Sequence, residues 1–315
     1  KERERGYELI LVDNGCPEGA LEALHPYADI RVRLRSNTGA CVARNIGAVY
    51  AQTPLLLFLD DDALPAEHLI AAHLYTQQRY DVIAVRGACR PRSAGNWFNS
   101  KAQHYYLGDR PFPRFADIEG NTSYRSEPFF ACGGWDDDLF FGHEGAVLAL
   151  RLWRQDPEWR RQIYSPDPVI AHDFAHNADH MQTKGARQRE SLQRILQAYP
   201  DYLGFLDSWK RWHLQRDVVL PRLELLAGRR GPEVGGERLP LLAGRQVPAG
   251  RAGLSGLVPR VEPAVGPAAP GVVAVAALLH RGSIAGPGVR DDDAVVEVEC
   301  HPALAADGHG GVRAA

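Results

Sequence analysis

The sequence predicts an α/β fold in which a mostly parallel sheet is flanked by helices and is followed by C-terminal helices and a disordered tail. Two observations predict this fold. Short apolar runs of strand length alternate with stretches of helical length along the first part of the chain, which is typical of a parallel sheet with helices on both faces. The apolar run 54–59 ends at three carboxylates, as expected of a buried strand whose carboxyl end reaches a ligand-binding edge.

The single elements follow from where each pattern begins and ends. Apolar runs bounded by turn-forming residues predict strands, and apolar residues at helical spacing predict helices. The predicted strands are 8–12, 30–34, 55–59, 82–85 and 168–171, and the predicted helices are 18–24, 40–51, 65–78, 144–152, 187–199 and 202–213.

The carboxylates of Asp60, Asp61 and Asp62 give the first indication of a site. Adjacent carboxylates repel one another, so a fold that places them together usually has a cation to neutralise them. Oxygen ligands of this kind suit Mg²⁺ or Mn²⁺, which in turn bind phosphates. The alternative is an acidic loop or the first turn of a helix, because Asp favours both positions.

Composition and charge narrow the class of protein. A net charge of −3, with basic residues dispersed among acidic ones, argues against a nucleic-acid partner. The 5 Cys residues show no metal-ligand spacing and are expected to be reduced thiols of a cytoplasmic protein. No signal peptide opens the chain, and the longest apolar run, 272–279, is far shorter than the roughly 20 residues of a membrane helix. Peripheral contact with a membrane stays open.

The chain divides by composition into three segments. Residues 1–178 hold the alternating pattern and form the predicted catalytic domain, and residues 179–227 form a helical extension. Residues 228–315 contain no Phe, Tyr, Trp, Lys, Asn or Thr, so we expect that they cannot offset their ordering entropy and are disordered. Because the chain opens almost at once with a strand, we also expect a truncated N-terminal end.

Five short motifs, in this order and spacing, resemble family 2 glycosyltransferases of the GT-A fold. The motifs are Val12-Asp13-Asn14-Gly15, Asn37 to Gly47 with Gly39, Arg44 and Asn45, Phe58 to Pro65 with the three acids, Gly133 to Glu144 with Trp135, Asp136 and Asp138, and His172. The resemblance covers about residues 7–176. It implies a GT-A-like (Rossmann-like) domain that uses a nucleotide-diphosphate sugar and a divalent metal to glycosylate an acceptor with inversion.

The resemblance also implies roles for single residues on the donor side. The implied nucleotide-sugar-binding residues are Asp13, Arg44, Asn45, Asp60, Asp61 and Trp135. Asp13 would accept a hydrogen bond from the base, and Asp60 or Asp61 would face the nucleotide. Turn capping by Asp13, surface exposure of Arg44 and packing of Asn45 are the structural alternatives.

The implied metal ligands are Asp62 and His172, and the implied cofactor is Mn²⁺ or Mg²⁺. The metal would bridge the two phosphates and stabilise the charge that grows on the leaving diphosphate. Asp173, His176 and His180 lie close to His172 in the sequence and are alternative ligands.

The implied catalytic residues are Glu144 and Asp138. An acceptor hydroxyl needs a base to take its proton, and Glu144 is the first candidate. The family commonly has Glu followed by Asp at this place, whereas this chain has Gly145, so the base is Glu144, an acid of Asp136 to Asp138, or His143, unless activity is impaired.

The expected partners are a nucleotide-diphosphate sugar donor and an acceptor that is a carbohydrate, a lipid-linked molecule or a small molecule. Two other functions remain open. One is a catalytically impaired relative that binds a nucleotide or sugar, and the other is a nucleotidyltransferase. A nucleotidyltransferase needs a Gly-rich phosphate loop near its first strand, and the sequence has none there.

Overall fold

The computed structural model describes residues 7–139, 142–213, 272–279 and 297–300. Its strands are β1 (Tyr7–Asn14), β2 (Ile30–Leu34), β3 (Leu55–Asp60), β4 (Leu64–Pro65), β5 (Ala84–Arg90), β6 (Phe112–Pro113), β7 (Asn121–Arg125), β8 (Gln162–Ala171), β9 (Val272–Leu279) and β10 (Glu297–Cys300). Its α-helices are α1 (Ala40–Tyr50), α2 (Leu69–Arg79), α3 (Ser126–Ala131), α4 (Glu144–Gln155), α5 (Ala178–Ala198) and α6 (Tyr202–His213).

All described strands join one sheet in the order β10-β2-β1-β9-β3-β7-β5-β8-β4, with β6 paired to β8. The α/β class is therefore confirmed. Within this sheet β7 runs antiparallel between β3 and β5. The parallel pairs are β1 with β2, β1 with β9, β3 with β9 and β5 with β8.

Strand β3 lies inside this sheet and is covered on both faces. Leu56 and Phe58 pack into the larger core, while Leu55 and Leu57 pack into a second cluster on the opposite face. Successive side chains of a strand point to opposite faces, so a strand buried on both sides reads as a continuous apolar run. The run ends at Asp60, where the strand leaves the core.

The element bounds differ from the predictions at several places. Residues 18–24 do not form a helix; a 3-10 turn, Glu22–Tyr27, follows instead, which contains a proline and buries none of its side chains. Helix α2 begins four residues late, because Leu64–Pro65 pairs with β8 as a short strand. Helix α5 begins at Ala178 because the Asn177 side chain caps it by accepting a hydrogen bond from the His180 N–H.

The expectation of a disordered tail is corrected for two segments. Strand β9 lies between β1 and β3 and is parallel to both, and β10 pairs antiparallel with β2. A run of Val, Ala and Leu suits a buried parallel strand, and its pairing on both sides satisfies the backbone without any aromatic residue. The other residues of 228–315 lie outside the described part of the chain. Among the described helices, none has the length and apolar character to cross a bilayer.

Candidate active site

Asp60, Asp62 and His172 meet at the carboxyl end of β3. One ligand atom of each residue lies within 4.8 Å of the others. The pairing of β4 with β8 brings the turn after β3 against the end of β8, so His172 Nε2 lies 3.1 Å from Asp62 Oδ1. Two carboxylates and an imidazole are a donor set that Mn²⁺ accepts readily, and the carboxylates also suit Mg²⁺. These residues therefore fit the predicted metal.

His172 is held in place from the side opposite Asp62. Its Nδ1 lies 3.2 Å from Tyr105 Oη, and its backbone N–H donates to the Arg90 carbonyl at 2.9 Å. A hydrogen bond at one ring nitrogen fixes the tautomer and orientation that the other nitrogen presents to a metal. Tyr105 thus supports a ligand role for His172.

The three alternative ligands after His172 are used differently. Burial would raise the pKa of Asp173, but hydrogen bonds from the Ser93 hydroxyl, the Asn99 side chain and the backbone N–H groups of Ser93 and Arg92 hold it below the ordinary range. Asp173 therefore fastens the irregular segment after β5. His176 and His180 are exposed, with ring centroids 5.3 Å apart.

Arg44 lies at the centre of the charged groups. Its side chain is 6% exposed, and Nη2 donates to Asp60 Oδ1 at 3.0 Å. The guanidinium also stacks over the Trp135 ring at 5.1 Å, a favourable cation–π arrangement. Arg44 Nη1 is buried and finds no hydrogen-bond partner in the described part of the chain. The exposed-helix alternative for Arg44 is thus excluded, and a donor remains for a ligand.

Asn45 and Trp135 build the wall behind Arg44. Asn45 Oδ1 accepts from the Trp135 N–H at 2.9 Å, and Asn45 Nδ2 donates to the Trp135 carbonyl at 2.8 Å and to Asp137 Oδ1 at 2.6 Å. Trp135 is 1% exposed and packs edge-on against Phe58. These contacts favour the packing role that the sequence left open for Asn45, and they make Trp135 a core residue that positions Arg44.

Asp13 lies at the carboxyl end of β1. Its Oδ1 accepts from the Cys16 N–H at 2.7 Å, the turn-capping contact that the sequence left open, and its Oδ2 lies 3.6 Å from Arg33 Nε. The neighbouring Asn14 was missed as a supporting residue: it is fully buried, and its Oδ1 accepts from the Thr38 N–H at 2.9 Å. Asn14 therefore fixes the loop that presents Asp13.

Glu144 and a residue that the sequence analysis missed, Glu119, form a carboxylate pair beside Arg44. Burial and the charge of Glu144 raise the pKa of Glu119 to about 8, although Arg44 opposes the shift. Burial also raises the pKa of Glu144, and Arg44 again opposes it. Glu119 precedes β7 in an irregular segment without periodicity, so no sequence signal marked it.

Lys184 of α5 is a second missed residue that faces the acidic groups. Burial lowers the pKa of its ammonium group, and four carboxylates oppose this shift. These carboxylates belong to Glu119, Asp60, Asp62 and Glu144. Lys184 Nζ donates to the Phe174 carbonyl at 3.1 Å. A single Lys in a polar helix carries no sequence signal, and only the packing of α5 directs it here.

The remaining predicted residues lie at the margin of the site. Asp61 is exposed on the turn after β3 and lies outside the described Asp60, Asp62 and His172 group. Asp138 is also exposed, and its backbone N–H donates to Asp136 Oδ1 at 3.1 Å. His143 Nδ1 lies 3.0 Å from Tyr202 Oη, so that ring nitrogen is already engaged by α6.

The fold and the acidic group define an α/β domain with a candidate metal site at the sheet edge where such domains bind their ligands. A family model described as Glycosyl transferase family 2 matches residues 2–135 of this chain. The resemblance seen in the motifs is thereby confirmed.

A curated relative and several solved structures are similar to this chain. The glycosyltransferase YfnE of Bacillus subtilis (strain 168) is 32% identical over 91 residues, which are 28% of this chain and 23% of that protein. The mannosyltransferase PcManGT of Pyrobaculum calidifontis, in complex with GDP-Man and Mn²⁺, has 20% identity and a TM-score of 0.46, with 62% of this chain and 55% of that chain covered. GalNAc-T7 with UDP, GalNAc and Mn²⁺ has 16% identity and a TM-score of 0.44, with 69% and 49% covered. The chain thus spans about a quarter of the curated relative and about half of these solved chains.

Proposed function

We propose that this protein is a metal-dependent, inverting glycosyltransferase that moves a sugar from a nucleotide-diphosphate sugar to an acceptor hydroxyl. The observation that carries the proposal is the group of Asp60, Asp62 and His172, whose ligand atoms lie within 4.8 Å of one another at the carboxyl end of β3. This group lies in a chain whose residues 2–135 match the glycosyl transferase family 2 model. The proposed acceptor is a carbohydrate, a lipid-linked molecule or a small molecule.

The donor would bind across the ends of β1 and β3. Asp13 would accept from the base, and Asp60, Asp62 and His172 would hold Mn²⁺ or Mg²⁺. A divalent cation supplies charge stabilisation to a leaving diphosphate when it is bound. The buried Nη1 of Arg44, which has no partner among the described residues, would donate to the donor from the opposite side.

The carboxylates around Arg44 would have two different roles, metal binding by Asp60 and proton acceptance by Glu119 or Glu144. Arg44 Nη2 pairs with Asp60 Oδ1 at 3.0 Å and so holds the carboxylate of a proposed metal ligand in place. Burial raises the pKa of both Glu119 and Glu144, although the Arg44 guanidinium opposes both shifts. A carboxylate of this pair can accept the proton of an attacking hydroxyl.

The second candidate function is a relative that binds the nucleotide sugar without transferring it. Gly145 favours it, because the family commonly has an acid there. Metal-dependent binding of a nucleotide without any turnover would support this candidate.

A thermal-shift experiment with UDP, GDP and dTDP, each with and without Mn²⁺, tests the proposed site. We expect stabilisation that needs both the metal and one nucleotide, of about 2.7 kcal/mol at a ligand concentration 100 times the Kd. Asp62→Asn should abolish it. The matched control is Asp167→Asn, the same change at an exposed position of β8, which should respond like the wild type.

The outcomes of this experiment are distinct. Stabilisation that persists in Asp62→Asn would place the metal elsewhere. No stabilisation by any nucleotide with Mn²⁺ would contradict the proposed function. A selective response to one nucleotide would in addition identify the donor class.

A further inference from the structure

The carboxylate of Glu119 lies against the backbone of Gly145. The Gly145 N–H donates to Glu119 Oε1 at 2.8 Å, and a Cβ atom built on Gly145 would lie 3.0 Å from the same oxygen and 3.0 Å from the Ala116 carbonyl oxygen. A side chain at position 145 and the present Glu119 carboxylate would therefore compete for one space. The structure thus contains a carboxylate at the first turn of α4, although residue 145 itself provides none.

Glu119 also lies close in the chain to a residue that packs against Asp60, one of the proposed metal ligands. A Cβ atom built on the following residue, Gly120, would lie 2.0 Å from Asp60 Oδ2, so the backbone at Gly120 is packed directly against a proposed ligand. In a nucleotide-diphosphate sugar the anomeric carbon is bonded to an oxygen of the diphosphate. A base for the attack on this carbon therefore has to lie near the residues that hold the diphosphate, and Glu119 directly precedes the glycine that packs against Asp60.

The two carboxyls of the pair differ in accessibility. Glu144 is 7% exposed, whereas Glu119 is half-buried. Burial and the neighbouring charge of Glu144 raise the pKa of Glu119 to about 8, close to neutral pH, where a general base is most effective. Glu144 is more deeply buried and is therefore suited to support Glu119 rather than to contact the acceptor.

We propose that Glu119 is the catalytic base of the transfer and acts where a side chain at position 145 would otherwise act; this assignment rests on the proposed function. Glu119 takes the proton of the acceptor hydroxyl while the acceptor oxygen bonds to the anomeric carbon. The bond from that carbon to the diphosphate oxygen breaks, and the nucleoside diphosphate leaves with the electron pair. Glu144 is a positioning residue that shares Arg44 with Glu119 and disfavours a second negative charge.

The test measures nucleoside diphosphate release from UDP-glucose, UDP-N-acetylglucosamine and GDP-mannose with MnCl₂, with water as acceptor. Glu119→Gln keeps an oxygen that accepts from the Gly145 N–H but cannot take a proton. We expect it to retain metal-dependent nucleotide binding and to slow release by about 10² to 10⁴-fold. Glu144→Gln should slow release by no more than about tenfold, because it removes only support for the base.

Two further variants make this test sharper. Glu127→Gln, at an exposed position of α3, should release at the wild-type rate. Glu119→Ala combined with Gly145→Asp returns a carboxylate to the same space from α4. We expect this double variant to release nucleoside diphosphate at least about tenfold faster than Glu119→Ala alone, because a positioned general base accelerates the reaction by that factor or more.

The results separate this assignment from the proposed function. Failure of the wild type to bind any nucleotide with Mn²⁺ would contradict both. The wild type could bind a nucleotide while Glu119→Gln releases nucleoside diphosphate at a rate within about threefold of the wild type. This result would overturn the assignment of Glu119 as the base but leave the proposed function standing. A larger loss in Glu144→Gln than in Glu119→Gln, or a wild type that binds donors and releases no nucleoside diphosphate, would also overturn this assignment.

Discussion

His172 Nε2 lies 3.1 Å from Asp62 Oδ1, although 110 positions separate the two residues in the chain (172 minus 62). The contact exists because the short strand β4 pairs with the end of β8, where Leu64 is opposite Ala171. Tyr105 holds the other ring nitrogen of the imidazole. The proposed metal group therefore depends on a residue that is not itself a ligand.

Tyr105→Phe is expected to lower the affinity of the site for the metal without removing a ligand. Loss of an outer hydrogen bond to a ligating His typically lowers metal affinity by about 10 to 100-fold, because ring orientation and basicity change. The measurement is the Mn²⁺ concentration that gives half-maximal stabilisation in the presence of the responding nucleotide. Tyr75→Phe, at an exposed position of α2, is the control. An unchanged Mn²⁺ requirement in Tyr105→Phe would contradict the role of Tyr105.

Gly120→Ala is expected to disturb Asp60 rather than the fold. The added Cβ would lie 2.0 Å from Asp60 Oδ2, and the flexible carboxylate is the part that can move. Metal-dependent nucleotide binding should weaken by about tenfold or more, as for other changes that disorient a ligand.

The control for Gly120→Ala is Gly204→Ala in α6, where a Cβ atom meets nothing within 4 Å. This change should leave binding intact and stabilise the helix by about 0.5–1 kcal/mol. Equal nucleotide affinity in the two variants would mean that Asp60 does not bind the metal.

Removal of residues 229–315 is expected to destabilise the protein. Strand β9 pairs with β1 on one side and β3 on the other, so its loss exposes two long strand edges inside the sheet. The measurement is the melting temperature, compared with a chain that ends at residue 300 and keeps both described tail strands. Val275→Pro offers a second test, because proline cannot donate to the ladder. Melting of the shorter chain at the wild-type temperature would contradict the placement of β9.

His73 is expected to make stability depend on pH. The residue is fully buried, its Nε2 lies 2.9 Å from Asn121 Oδ1, and burial lowers its pKa from 6.5 to about 4. Between these two values the unfolded chain binds a proton that the folded protein does not bind. This contribution to the free energy of unfolding therefore rises with pH from about 4 to 6.5 and is lost as the pH falls through that window.

Chemical denaturation at several pH values checks the role of His73. His73→Gln keeps an amide donor for Asn121 but has no titrating group, so its stability should rise less steeply with pH in this window. The slopes should differ by at most one bound proton. Parallel slopes for the two proteins would show that His73 titrates alike in the folded and unfolded states.

The sequence by itself determined the parts of this protein that depend on local pattern. The apolar run ending at Asp60 marked a buried strand and its ligand edge, because burial on both faces requires continuous apolar residues and only the strand end can carry charge. The motifs singled out Asp62 and His172 through their order along the chain, and the family model matches residues 2–135.

Only the tertiary structure decided which groups share the site. Glu119 reaches Gly145 across 26 positions, and Asn45 donates to the Trp135 carbonyl across 90. Strand β9 enters the sheet beside β1 from the other end of the chain. Local propensity and spacing carry no information about such pairings, because they arise from the burial and hydrogen bonding of segments that meet only when the sheet forms.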